Sequence, residues 1–332
     1  MDRREFLKML SALSGAFMIS GTDVLANTKM TSDKIGEVLP KRPLGNTGEH
    51  VTMLGLGGYH VGRNHSEKEA QAIIETSITG GVRFFDNSES YQNGGAERRY
   101  GKYLVPKYRD EIFLMTKTDA ENDKQARKSL EGSLKRLNTD YLDLWQIHSI
   151  YTPKDVDHLL NNGVLDVMLQ AKKEGKVKHI GFTGHNNYKA HKHMLERTHE
   201  FETCQMPINV LDPSYLSFIK NVLPILVKRD MGILAMKTLA DGRFFSKTRS
   251  NASWHSNDPV VPGRITVKDA LYFAWSLPIS VLISGPDNHQ MMQEKIDLAR
   301  NFKPLNEQQR QILIKKVADL SDGHVEYYKN KI

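Results

Sequence analysis

The sequence predicts an α/β protein folded as a (β/α)8 TIM barrel, and three observations carry that prediction. At 332 residues, 39% hydrophobic and 26% charged, the chain has the composition of an ordinary globular protein, and barrels of this class hold roughly 250 residues or more around one core. From Val51 onward, short apolar β-prone runs alternate with amphipathic stretches, the mark of repeated βα units around a parallel sheet. Those runs number eight, at residues 51–56, 83–86, 112–117, 141–148, 179–183, 203–208, 232–237 and 280–284, and eight parallel strands close such a barrel.

In chain order, the first 26 residues stand apart. They open Met1-Asp2-Arg3-Arg4-Glu5-Phe6-Leu7-Lys8 and continue as an uncharged run over 9–22. That run is shorter than the ~20 apolar residues of a bilayer span, and Val24-Leu25-Ala26 supplies the small residues of a cleavage site. The segment resembles a twin-arginine (Tat) export signal. The resemblance implies a chain handed folded to the Tat machinery, cleaved after Ala26 and released in the periplasm with no stable membrane anchor. The other reading is an amphipathic first helix with a chance arginine pair.

Residues 27–41 then read as a linker and 42–332 as the barrel with its closing helix. Residues 42–48, with the turn Asn46-Thr47-Gly48, read as a hairpin strand that plugs the barrel bottom. Helix starts are marked by Ser66 with Glu69 and by Thr266 with Asp269, both capping-box patterns, and Gly80-Gly81 ends the first helix. Over 123–137, Ala126, Leu130, Leu134 and Leu137 recur at helical spacing, a stripe to bury against the barrel wall. Residues 306–320 form a last helix outside it. Between them, 240–264 has no periodicity; a loop this long, leaving the C-terminal end of a strand, is expected to cover a ligand.

A formal charge of +7 comes from Lys and Arg interleaved with Asp and Glu along helix faces, which argues against nucleic acid and suits an anionic cofactor. One cysteine, Cys204, excludes an internal disulfide framework and an iron-sulfur cluster alike.

Chemistry concentrates where apolar runs end in polar residues. Asp86 follows Val82-Arg83-Phe84-Phe85, Lys117 follows Phe113-Leu114-Met115-Thr116, His148 follows Leu144-Trp145-Gln146-Ile147, and Tyr91 lies five residues past Asp86. Barrel enzymes gather such strand-end groups on one face. A phenol of pKa ~10 is a poor acid at neutral pH, and an adjacent ammonium, Lys117, would lower it. Asp86 would keep that lysine charged, and His148 would hydrogen-bond the substrate oxygen or share its proton.

These residues also carry a resemblance. Gly81-Val82-Arg83-Phe84-Phe85-Asp86 with Tyr91, Gly95, Glu97 and Gly101, and then Leu142-Asp143-Leu144-Trp145-Gln146-Ile147-His148, are similar to second- and fourth-strand signatures of the aldo/keto reductases. The likeness runs from about Arg42 to Arg300. It implies hydride transfer between NADP or NAD and a carbonyl or alcohol substrate, with Tyr91 as acid, Lys117 and Asp86 tuning it and His148 orienting the substrate. A nicotinamide-holding sensor or partner subunit with slow turnover is the alternative.

For the cofactor, the resemblance implies Thr183 and Gln205 at the carboxamide, Met236 where an aromatic usually stacks, Lys237 toward the pyrophosphate, and the segment from Gly285 to Glu294 at the ribose end. That segment has no Lys or Arg before Lys295, and its Asp287 opposes a 2′-phosphate. Preference between NADP and NAD therefore stays open. Tyr59, His60, Trp145, Tyr151 and the 240–264 loop are expected to shape the substrate pocket. No metal is called for.

Overall fold

The computed structural model describes residues 29–63, 66–244, 259–261 and 263–330. The export-signal segment 1–26 and most of the long loop after residue 244 lie outside the described residues.

Two short hairpins lead into the molecule. Strands β1 (Thr31–Ser32) and β2 (Glu37–Val38) pair antiparallel, as do β3 (Lys41–Pro43) and β4 (His50–Thr52). Seven strands follow: β5 (Leu54–Gly57), β6 (Phe84–Asp86), β7 (Phe113–Thr118), β8 (Leu142–Ile147), β9 (Val177–Thr183), β10 (Thr203–Pro207) and β11 (Gly232–Met236). A hairpin of β12 (Pro259–Val260) and β13 (Ile265–Thr266) precedes the last strand, β14 (Val281–Ser284). Strands β5–β11 and β14 close into one parallel barrel in the order β10-β11-β14-β5-β6-β7-β8-β9. The expected (β/α)8 TIM barrel is the fold.

Two expectations about the N-terminal region need correction. The run 51–56 is two strands: His50–Thr52 belongs to the antiparallel hairpin, and the chain turns at Met53 before β5 enters the barrel. The Met53 carbonyl is tied down there, accepting the Trp275 indole N–H at 2.8 Å and the Leu282 N–H at 3.0 Å. Apolar content cannot show such a corner, because both strands bury their side chains. Nor is 29–41 a free linker. Arg83 donates to Asp33 at 2.7 Å, and Val38 and Leu39 are fully buried, so this stretch is part of the domain.

Strand alternation sorts the side chains into two cores. Facing inward are Phe84, Phe113, Met115, Leu144, Leu234, Val281 and Ile283, which form one cluster with Leu44 and Val51 of the hairpin. The hairpin therefore plugs the bottom as expected: Leu44 reaches to 2.7 Å of where a Cβ on Gly232 would sit, so only glycine leaves it room. Facing outward are Leu54, Leu56, Phe85, Leu114, Trp145, Ile147, Ile180, Phe182, Cys204 and Met206, packed under the helices in the larger cluster.

The helix signals hold with one refinement. Thr266 and Asp269 make the reciprocal capping box. Ser66 accepts the Glu69 N–H at 3.1 Å, but the Glu69 carboxylate reaches across to the His289 N–H at 2.7 Å, tying the first helix, Glu67–Thr79, to the start of helix His289–Arg300. Helix Asp123–Leu137 buries Ala126, Leu130, Leu134 and Leu137. Helix Glu307–Val317 packs outside, and the described residues end in a 3-10 turn, Tyr327–Asn330, returned to the upper face of the barrel.

Candidate active site

The inward parity that puts Phe84, Met115 and Leu144 in the lower core continues upward to Asp86, Lys117 and, past the end of β8, His148. All three, with Tyr91, line one cleft of about 350 Å³ at the C-terminal ends of the strands. Lys117 is the hub. Its ammonium donates to Asp86 Oδ1 at 2.5 Å, to the Asn87 carbonyl at 2.7 Å and to the Tyr91 hydroxyl oxygen at 3.3 Å. Because the lysine donates to the phenol oxygen, the phenol's own proton is left to point elsewhere. The Tyr91 ring meets the edges of Tyr59 and His148, with centroids at 5.4 Å and 5.7 Å.

Electrostatics follow from this burial. Desolvation pulls Lys117 down, but Asp86 and Tyr91 outweigh it, so the ammonium is held charged above its ordinary range. Burial pushes the Asp86 carboxyl up, partly countered by Lys117. For Tyr91 burial also wins: the phenol is pushed up to about 12, with Lys117 offsetting only part. Here the sequence expectation of a lowered phenol is corrected, since taking the phenolate out of water costs more than one already paired ammonium returns. A phenol in that state keeps its proton at neutral pH, as a proton donor must.

The expected cofactor residues gather unevenly. Thr183, Gln205, Met236, Lys237 and Gly285 line the cleft, whereas Glu294 does not. Gln205 Oε1 is buried and has no hydrogen-bond partner among the described residues. An acceptor left open in a cavity wall suits an amide N–H, so the residues present fit a nicotinamide carboxamide. Lys237 sits in a left-handed backbone (φ 57°) with Asp241 at 3.6 Å. Asp287 has Arg63 at 3.8 Å, and the Lys295 ammonium donates to the Gly285 carbonyl at 3.1 Å. Asp287 thus has a cation beside it, and neither Asp287 nor Lys295 is part of the cleft lining.

Among the expected pocket residues, Tyr59 and His60 line the cleft. Trp145 does not: it is fully buried between barrel and helices. Parity explains the correction, because Leu144, Gln146 and His148 face in and the residue between them must face out. Tyr151 is 46% exposed and off the cleft wall. The described start of the long loop contributes Asp241 and Gly242.

Sequence reasoning missed two groups. Asp119, two residues past Lys117 and on its parity, places Oδ1 at 2.8 Å from His148 Nδ1; the alternation was legible and would have found it. The C-terminal turn was not legible. Tyr327 and Tyr328 line the cleft, pinned by a buried polar cluster: Lys329 donates to Asp212 at 2.7 Å and to Glu326 at 3.0 Å, and Asn209 donates to Glu326 at 2.7 Å. Tyr327 donates in turn to Asp241 at 2.5 Å.

Comparison with known proteins agrees with this fold. The model of the aldo/keto reductase family matches residues 53–313. The chain is 30% identical to the Bacillus subtilis oxidoreductase YrpG over 63% of this chain and 69% of that one. It is 27% identical to an Arabidopsis thaliana L-galactose dehydrogenase, over 66% and 70%. Among solved structures, aldo-keto reductase AKR11C1 from Bacillus halodurans in its holo form superposes with a TM-score of 0.68 at 20% identity, covering 83% of this chain and 95% of that one. An aldo-keto reductase from Klebsiella pneumoniae in complex with NADPH superposes at 0.64 and 20%, covering 82% and 93%. On the family match and the barrel that carries it, the chain belongs to the aldo/keto reductase family of oxidoreductases.

Proposed function

We propose that this oxidoreductase interconverts a small carbonyl compound and its alcohol, with Tyr91 as the group that gives the proton to the carbonyl oxygen. The observation that carries the reading is the donation from Lys117 to the Tyr91 oxygen while Asp86 holds the same ammonium. That bond stabilises negative charge as it develops on the phenol oxygen, so the proton is released into the cleft and not toward the lysine. His148, at the edge of the Tyr91 ring, is within reach of the same substrate oxygen. Tyr59 and His60 wall the substrate side.

Reduced nicotinamide would supply the hydride, held by Gln205 and Thr183 at its amide and by Met236, whose polarizable thioether can pack on a ring. Toward the phosphates, Lys237 and the segment starting at Gly285 would make the contacts. An aldehyde, ketone or sugar fits the mixed polar and aromatic wall, and the sugar class is supported by the relative named L-galactose dehydrogenase. The test is consumption of reduced nicotinamide with a panel of aldehydes and aldoses, followed by absorbance. Failure of every carbonyl tried, in both directions and with both NADPH and NADH, would remove the reading.

The same proposal extends to export. The Arg3-Arg4 pair and the uncharged run after it support Tat-dependent delivery to the periplasm. Replacing both arginines by lysine is expected to keep the protein in the cytoplasm, measured by cell fractionation; normal export of that variant would sink it.

A further inference from the structure

His148 is held from behind more closely than a substrate-orienting ring requires. Its Nδ1 has Asp119 Oδ1 at 2.8 Å, with the Ser88 and Ser90 hydroxyls at 3.3 Å and 3.4 Å. Hydroxyls can give or accept, but an ionised carboxylate only accepts, so the shortest of these contacts calls for a proton on Nδ1. Asp119 is suited to that part. Burial raises its carboxyl, yet the His148 ring and the Ser90 hydroxyl outweigh burial and hold it below the usual carboxylate range.

Asp119 is itself anchored. Its backbone N–H donates to Glu89 Oε1 at 2.9 Å, and the Thr118 hydroxyl donates to the same oxygen at 3.0 Å. Arg136 stands 4.0 Å behind Glu89. The loop past β7 therefore presents one carboxylate to one ring nitrogen, and Nε2 is the only nitrogen of His148 left for a molecule in the cleft.

We propose that Asp119 is a positioning residue for His148. It fixes the Nδ1–H form and the ring's orientation, so that Nε2 alone meets the substrate oxygen. The inference rests on the carbonyl–alcohol reading above. A neutral ring held this way presents a lone pair at Nε2 and accepts the hydroxyl of an alcohol; a charged ring presents Nε2–H and donates to a carbonyl. The other titratable groups that face the ring are Tyr91 in contact, Asp86 and Lys117 behind it, and His185 on the same cleft wall. Glu89 lies beyond Asp119.

The test uses the full chain with ¹⁵N-labelled histidine, in wild type, Asp119→Ala and Asp119→Glu, with His148 assigned by its loss in His148→Gln. Imidazole nitrogen shifts report which nitrogen carries the proton, a readout that a merely structural role for Asp119 would not move. In wild type the neutral ring is expected to carry its proton on Nδ1. In Asp119→Ala the Nε2–H form should appear. In the same variant kcat/KM for alcohol oxidation at neutral pH should drop roughly tenfold, part of the ~100-fold worth of a placed proton-transfer group, because an Nε2–H ring no longer accepts the alcohol hydroxyl, with nicotinamide affinity held within about twofold. Asp119→Glu should recover most of the tautomer and the rate. An Nε2–H ring in wild type, or an unchanged tautomer in Asp119→Ala, would overturn the proposal. The expected shifts in a protein that reduces no carbonyl would instead keep the Asp119–His148 pairing and remove the reaction assigned to it.

Discussion

The two ends of this barrel are built from the same strands and differ by one step of alternation. Two residues below Asp86 is Phe84; below Lys117 is Met115; below His148, four residues down, is Leu144. At the lower end these side chains close with Leu44 and Val51 of the hairpin into a dry cluster. At the upper end the same inward register carries a carboxylate, an ammonium and an imidazole around a cleft. The lesson is that the lower end supplies the rigidity and the upper end spends it. A buried ion pair such as Lys117–Asp86 costs desolvation that its own attraction only partly returns, and it persists because the apolar layer beneath fixes where each strand ends.

The sharpest way to break that comparison is to open the lower layer. Phe84 is fully buried and stacked on Phe113 with ring centroids 5.1 Å apart. Phe84→Ala is expected to cost about 3–5 kcal/mol of stability, read from urea unfolding, and molecules that remain folded should also lose turnover as the strand end carrying Asp86 loosens. A loss under about 1 kcal/mol would mean that the lower core can collapse around the gap and does not set the strand ends.

The opposite substitution tests the upper end. Tyr91→Phe keeps the ring contacts with Tyr59 and His148 and removes only the proton. We expect carbonyl reduction to fall by ~100-fold or more, while nicotinamide binding barely changes and stability moves by no more than about 1 kcal/mol. Wild-type turnover in this variant would take the acid role from Tyr91.

The raised Tyr91 phenol offers a pH test of the same contrast. Its folded value of about 12 lies above the ordinary value of 10.0, so between them the native chain keeps a proton that the unfolded chain has lost. Stability contributed by this group is complete below pH ~10 and is lost as pH rises toward about 12, by on the order of 2 kcal/mol. Subtracting the unfolding curves of Tyr91→Phe isolates that loss from those of Tyr100 and Tyr328, which burial also raises. Parallel curves for the two proteins across that window would show that the phenol is solvated.

The smallest effect concerns the ribose end. On the proposed cofactor placement Asp287 would oppose a 2′-phosphate, and Arg63 at 3.8 Å offsets part of that charge across a half-exposed surface. Wild-type discrimination between NADPH and NADH is therefore expected to stay under about 1 kcal/mol, and Asp287→Arg should tilt it toward NADPH. Calorimetric titration of both cofactors at fixed ionic strength measures this. Wild-type preference for NADPH beyond about a hundredfold, ~2.7 kcal/mol, would place the phosphate's partners elsewhere, with Arg63 and Lys295 the first to replace.

The barrel and the cluster of the candidate site were legible in the chain because both depend on local pattern. Apolar runs marked the strands, and a charged residue at the end of a run marked a side chain that the alternation points inward, which is how Asp86, Lys117 and His148 could be named together. The same alternation, followed one step further, would have turned Trp145 outward and brought Asp119 in. What only the tertiary structure decided are the contacts between residues far apart in sequence. Lys329 meets Asp212 across 117 positions, and the turn that holds Tyr327 and Tyr328 at the cleft has no periodicity to announce it. Burial is likewise a property of the assembled molecule: the strand-end placement of Lys117 suggested that it would lower the Tyr91 phenol, and only the closed site shows desolvation outweighing it. Local spacing reports which way a side chain points along its own strand, whereas the partner it meets, and the water it loses, depend on every other segment packed around it.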